Sequence, residues 1–191
     1  MTKREMNLRI FENKVIPNIF FQPRIEWWYQ YNKVRGTLPE KYKKMSLREL
    51  FDDLDVSIRY FAYATGLAGA IGMKHTKEVK VKERMEEEER LVIISTPKGD
   101  LIQKMKQSSD GGWRTTEFPV KTGEDIEKAI WLFENTYYVF IKKNFEKGSK
   151  FFKDRGELQF FVPRSGYQHL AIRVMGVENL IYALSDFPKK V

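Results

Sequence analysis

Val15-Ile16-Pro17-Asn18-Ile19-Phe20-Phe21 is the stretch whose reading decides the fold class. It is too short for a helix and too continuously apolar for a half-solvated surface, so it reads as a buried strand. Such continuity is what a parallel strand covered on both faces requires. Pro17 sits near its start, where a missing backbone donor costs least. Leu158-Gln159-Phe160-Phe161-Val162 repeats the pattern near the other end of the chain. Each run leads into polar and aromatic residues, and ligands of parallel α/β sheets and barrels sit beyond the C-terminal ends of their strands.

Two groups of candidate ligand-binding residues follow. Arg24, Glu26, Trp27 and Trp28 lie beyond the first run, and Arg164, Ser165 and Tyr167 beyond the second. An arginine at such a junction grips a carboxylate or phosphate through its planar fork. A turn that opens a helix also presents free N–H groups to an anion. The competing reading keeps Trp27, Trp28 and Tyr29 as packing at a barrel rim, and Arg24 and Arg164 in structural ion pairs with Glu26 or another acid. No residue is assigned a catalytic role.

Between the two runs the period changes twice. Lys3 to Glu12 reads as a short helix, with Met6 and Ile10 on one side. Ser46-Leu47-Arg48-Glu49 has the capping-box pattern. The helix beyond it carries Leu47, Leu50, Phe51, Leu54, Ile58 and Phe61 and is expected to run out near Gly66. Residues 77–121 then alternate: Val79 and Val81, Leu91 and Ile93, Leu101 and Met105 fall at even spacings. Pro97-Lys98-Gly99-Asp100 is rich in turn residues, and the glutamates 86–89 suit a solvated hairpin end. A β-meander is therefore expected here. Helical period returns at Thr122-Gly123-Glu124-Asp125, with acids at the positive end of the helix and Ile126, Ile130 and Phe133 on its stripe. A second helix is expected from Tyr137 to Asp154, a third from Tyr167 to Met175, and a last one around Leu180, Ile181 and Leu184.

The 191 residues suit a single domain, 1–191. Hydrophobic residues at 42% and aromatics at 14% supply a core, which argues against global disorder. The absence of cysteine removes disulfides, thiol catalysis and cysteine metal ligands. No apolar run reaches the roughly 20 residues of a bilayer span, and no signal-peptide core follows Met1. A cytoplasmic location without a membrane partner is expected. The net charge of +8 comes from 34 basic and 26 acidic side chains spread along the chain. That Lys- and Glu-rich surface resembles proteins from hot environments more than a dedicated nucleic-acid stripe. His75 and His169 match no zinc-ligand spacing, so no metal site is expected.

Several segments resemble, in order, the uroporphyrinogen decarboxylase superfamily, which includes corrinoid-dependent methyltransferases. Ile25-Glu26-Trp27-Trp28-Tyr29 and Gly36-Thr37-Leu38-Pro39-Glu40-Lys41-Tyr42 are similar to its first loop. Ser95-Thr96-Pro97-Lys98-Gly99-Asp100-Leu101, Phe118-Pro119-Val120-Lys121-Thr122, Val162-Pro163-Arg164-Ser165 and Met175-Gly176-Val177-Glu178-Asn179-Leu180-Ile181-Tyr182 are similar to its methyltransferase-like branch. The resemblance implies a partial TIM (β/α)8 barrel with the meander inserted. Such barrels need about 250 residues, so the chain is expected to be an N-terminal portion, inactive alone. It would form part of a pocket for an anionic or methylated small molecule.

The departures from the family pattern narrow the expectation. Gly36 is followed by Thr37, where decarboxylases carry an arginine. The stretch from Tyr63 to Ile71, before Gly72-Met73, lacks the family's catalytic aspartate, and the barrel-lining tyrosine has no counterpart. Porphyrinogen decarboxylation is thus not expected. Relatives bind zinc through His and Cys of the later half-barrel. No cofactor is therefore expected in this chain, and corrinoid or zinc would belong to a completed barrel. The missing strands would come from a second chain or from self-association. The alternatives are a non-catalytic self-associating protein and, less favoured, a basic nucleic-acid-binding module.

Overall fold

The fold, a computed structural model, describes residues 1–59, 69–109, 111–160, 162 and 164–191. In chain order the helices and strands are α1 (Lys3–Phe11), α2 (Glu26–Arg35), α3 (Leu47–Asp53), β1 (Ile71–His75), β2 (Lys80–Glu86), β3 (Glu89–Thr96), β4 (Gly99–Gln107) and β5 (Trp113–Glu117). They continue with α4 (Gly123–Glu134), β6 (Thr136–Phe140), α5 (Lys142–Phe152), α6 (Gly166–His169), a π turn (Leu170–Val174) and α7 (Gly176–Asp186). The protein is mixed α/β, and its sheets are antiparallel. Two compact units result, neither of them a continuous stretch. Unit 1 is Met1–Gly72 with Phe140–Phe161, and unit 2 is Met73–Val139 with Val162–Val191. No helix among the described residues is long and apolar enough to cross a membrane.

Unit 1 is mainly helical. Thr2 and Glu5 close a capping box on α1, and Ser46 and Glu49 close another on α3. Each box satisfies backbone N–H groups that a helix start leaves unpaired. The core gathers Tyr29, Leu38, Leu47, Leu50, Phe51, Ile58, Phe152 and Leu158. Phe140, Phe145 and Phe160 add an aromatic cluster with ring centroids 5.5–6.3 Å apart. Arg155 clamps Asp52 of α3 with both arms of its guanidinium, Nε to Oδ1 at 2.5 Å and Nη2 to Oδ2 at 2.8 Å. That fork holds the Asp52 carboxyl below its ordinary range.

Unit 2 is a four-stranded antiparallel meander, β2-β3-β4-β5, with helices on one face. The β3–β4 turn is two residues long, because Thr96 pairs with Gly99. Thr96 closes it by donating Oγ1–H to the Gly99 carbonyl at 2.8 Å and accepting Lys98 N–H at 3.1 Å. Thr122 and Asp125 cap α4, whose buried positions Ile126, Ala129 and Leu132 meet Leu101, Val120, Val174, Met175, Leu180 and Ala183. The Val120 N–H donates to the Val174 carbonyl at 3.0 Å, tying the chain before α4 to the π turn. β1 and β6 form a separate ladder. The bonds from Thr76 N to Asn135 O and from Ile141 N to Ala70 O make it antiparallel.

An antiparallel meander is present within 77–121, its strands running from Lys80 to Glu117, but the expected half-buried alternation is missing from β2, which is exposed throughout. The expected strand at 15–21 is instead irregular chain, with Val15, Ile19 and Phe21 exposed. Its backbone is tied to the adjacent segment by the Ser57 N–H donating to the Phe21 carbonyl at 3.2 Å. Among the described residues this single bond does not build a ladder. The described residues of 158–162 likewise form no strand: Leu158 enters the core, Gln159 makes an isolated bridge, and Val162 is exposed. Among the described residues the two runs are therefore not parallel strands of one sheet, and no barrel closes. The capped helix at Leu47 ends at Asp53, short of Ile58. Phe61 and the run-out near Gly66 lie outside the described residues. The helix expected from Tyr137 begins only at Lys142, because Thr136–Phe140 is a strand.

Residues 57–59 nevertheless run between the two expected strands. Ser57 N bonds Phe21 O on one side, and Gln159 N donates to Arg59 O at 3.3 Å on the other. Gly156 permits this approach. A Cβ there would lie 2.3 Å from the Ile58 carbonyl oxygen and 2.6 Å from Ser57 Oγ. The side-chain amide of Gln22 stitches the same place, donating to Ser57 Oγ at 3.0 Å and Asn7 Oδ1 at 3.2 Å. Gly156→Ala should therefore destabilise unit 1 by about 1–3 kcal/mol through forced overpacking. Gly166→Ala, which meets nothing within 4 Å, should be neutral. Chemical denaturation of both variants checks the difference, and equal midpoints would disprove the crowding.

Candidate functional site

Unit 2 encloses a cavity of about 420 Å³. The strict alternation of side chains along a strand turns Leu101, Gln103 and Met105 of β4 to one face. Ile94 of β3, paired with Leu101, shares that face. Ala129, Leu132 and Phe133 of α4 close a second wall, and Met73, His75, Thr136 and Tyr138 of the β1–β6 ladder a third. Arg164, His169, Arg173 and Val174 complete the lining. The lining is mostly apolar, with a few polar groups converging on it, the usual composition of a small-molecule site.

The charges inside are one-sided. Arg164 and Arg173 line the cavity, no carboxylate does, and among the described residues neither arginine has an acidic partner. Burial is the first cause holding the His169 imidazole below its ordinary 6.5, and the neighbouring Arg173 and Arg164 add to it. The ring packs edge-on against Phe133, centroids 5.8 Å apart. Arg173 follows His169 by four residues across a π turn, where the Met175 N–H reaches back to the Leu170 carbonyl at 2.9 Å. Such turns interrupt helices mostly at functional places. Here the turn carries Arg173 and Val174 onto the cavity.

Opposite, His75 ends β1 and its Nδ1 lies 2.8 Å from Thr136 Oγ1, which in turn donates to the Leu132 carbonyl at 2.7 Å. Gln103 donates its Nε2–H to Thr115 Oγ1 at 2.9 Å, so this side chain is also held in place.

Of the seven residues singled out from the sequence, the cavity contains Arg164. Ser165 precedes α6 without capping it through its side chain, and Tyr167 is exposed on that helix. Arg24, Glu26, Trp27 and Trp28 belong to unit 1. Glu26 opens α2, where the positive helix end favours an acid. It is only 2% exposed, and its Oε1 has no hydrogen-bond partner among the described residues. Trp27 and Trp28 are exposed, Trp28 meeting Tyr42 edge-on at 6.4 Å. His75, His169 and Arg173 had not been singled out as site residues. The four-residue spacing of His169 and Arg173 was the available signal, since it puts both on one helical face.

Compared with family models, with curated proteins and with solved structures, the chain matches none. Among the described residues no group of three or more His, Asp or Glu side chains is placed to hold a metal ion. Two histidines, without a cysteine or a carboxylate beside them, do not make a zinc ligand set. A cavity of about 420 Å³ lies in the lower part of the range for drug-sized ligands, far below the bulk of a corrinoid.

Because the folded state resists protonating His169, the residue contributes nothing to the pH dependence of stability above its ordinary 6.5. It destabilises the fold progressively as pH falls below that value. An NMR titration should find the His169 midpoint below 6.5. Arg164→Gln combined with Arg173→Gln should raise it part of the way back, since burial remains. A midpoint at or above 6.5 in the parent protein would contradict the one-sided charge.

Proposed function

We propose that this chain binds a small organic anion in the unit 2 cavity. We further propose that it represents the front portion of a uroporphyrinogen decarboxylase-like barrel of the methyltransferase-like branch, inactive alone. The carrying observation for the first part is the pairing of Arg164 and Arg173 with an apolar lining free of carboxylates. Two guanidinium groups favour a carboxylate or phosphate headgroup, and Leu101, Met105, Leu132 and Phe133 accept an apolar body. The His169 imidazole, kept neutral by its surroundings, would gain a proton more readily once an anion arrived.

The barrel reading draws its support from the ordered family-like segments and from unit 1. Residues 57–59 bond to Phe21 on one side and to Gln159 on the other, the neighbour order expected if these three segments are successive barrel strands. The remaining strands would be supplied by a second chain or by self-association, and any corrinoid or zinc chemistry would come with them.

Self-association without catalysis is the second reading. It is favoured by the exposure of Val15 at 84%, Ile19 at 95% and Phe21 at 63%, since unpaired apolar chain of this kind invites pairing. In light scattering, a monodisperse monomer would remove this second reading.

Benzoate is a suitable first probe, a carboxylate on an apolar ring, with neutral benzamide as control. Benzoate should shift the His169 resonances and raise the His169 titration midpoint, and benzamide should do neither. The Arg164→Gln/Arg173→Gln variant should weaken benzoate binding by about tenfold or more, the worth of a hydrogen bond to a charged group. Equal affinity for benzoate and benzamide would end the anion proposal.

A further inference from the structure

The cavity holds a second polar feature that an anion alone does not use. His75 Nδ1 and Thr136 Oγ1 are 2.8 Å apart, and Thr136 Oγ1 lies 2.7 Å from the Leu132 carbonyl oxygen. The threonine hydroxyl has one proton. Two oxygens at 2.7 Å repel unless a proton lies between them, so that proton belongs to the bond toward Leu132. Thr136 can then meet His75 only as an acceptor, and Nδ1 must carry the imidazole proton. The neutral ring is thereby left with its lone pair on Nε2. Among the described residues Nε2 has no hydrogen-bond partner, while His75 lines the cavity together with Arg164 and Arg173.

The arrangement is built from the backbone outward. Leu132 is buried in the last turn of α4, and Thr136 opens β6 four residues later, so its hydroxyl bonds back across the helix end. His75 sits opposite Thr136 in the β1–β6 ladder, and the Thr76 N–H donates to the Asn135 carbonyl at 3.0 Å immediately beside it. Neither the hydroxyl nor the ring is free to exchange roles without breaking a contact.

We infer that His75 is a specificity-determining acceptor, so the ligand of this cavity is an anion that also carries an O–H or N–H donor, as a hydroxy acid does. The inference rests on the anion-binding reading and refines it. The arginines take the charged end, and His75 Nε2 takes the protic group. A ligand lacking that group forgoes the bond to Nε2, and a site arranged to hydrogen-bond a ligand hydroxyl discriminates against analogues without one.

Two measurements test this. Long-range proton–nitrogen spectra of the uniformly labelled full chain should show His75 as the Nδ1–H tautomer at neutral pH, and a dominant Nε2–H tautomer would overturn the inference. Binding is then compared for benzoate and its 2-, 3- and 4-hydroxy isomers. At least one isomer should bind about tenfold more tightly than benzoate. That preference, read as the ratio of hydroxybenzoate to benzoate affinity within each protein, should vanish in Thr136→Val, which frees the tautomer, and in His75→Phe. Retained His169 resonances confirm that the variants are folded. If benzoate binds and no isomer surpasses it, or if the preference survives both substitutions, His75 has no such role and the anion site stands without it. If no probe binds, the anion-binding reading itself falls.

Discussion

The cavity exists because β3 and β4 pair in one register. Side chains alternate along a strand with a period of two, so a slip of one residue would carry Ile94, Leu101, Gln103 and Met105 to the opposite face. The side chains on that opposite face include Ile93, Ile102, Lys104 and Lys106. The turn prevents the slip. Pro97 and Lys98 are the only residues between the paired Thr96 and Gly99, and the Thr96 hydroxyl bonds on both sides of the bend. Gly99 takes a φ of +121°, which a side chain resists. Four residues at a hairpin end thus determine which side chains face α4 and which face away.

This part of the molecule was legible because its signals are local. Turn residues, even-spaced valines, leucines and isoleucines, and the Thr122 cap all act within a few positions, and all reappear in the structure. The parallel strands were not legible, because a strand is defined by partners that may lie far along the chain. Val15–Phe21 has the composition of a covered strand, yet its ladder would depend on residues 57–59, which give it a single backbone bond from Ser57. Thr136–Phe140 failed in the opposite direction. Its β-branched and aromatic residues suited a strand, but helical segments on both sides concealed a five-residue insertion.

The candidate site was legible only in part, for a related reason. Arg164 could be singled out because it follows an apolar run and begins a turn. His75 and His169 are separated by about half of the chain, and their value comes from surroundings that no local pattern displays. For His169 these are two arginines and a phenylalanine, and for His75 a threonine hydroxyl already engaged with the end of α4. Glu26 shows the same limit. The sequence offers it as a candidate ligand-binding residue or an ion-pair partner of an arginine, whereas in the fold it is among the most deeply buried polar residues described.

The first strand of the meander, β2, has a consequence of its own. Among the described residues it pairs with β3 alone, which leaves one side of its backbone as an edge, and every residue along it is exposed. Lys80, Lys82, Glu83, Arg84 and Glu86 are set along that border. A strand arriving from another molecule would have to desolvate this dense row of alternating charges before gaining its backbone bonds. On this side the sheet is therefore shielded from growing outward by edge-to-edge stacking.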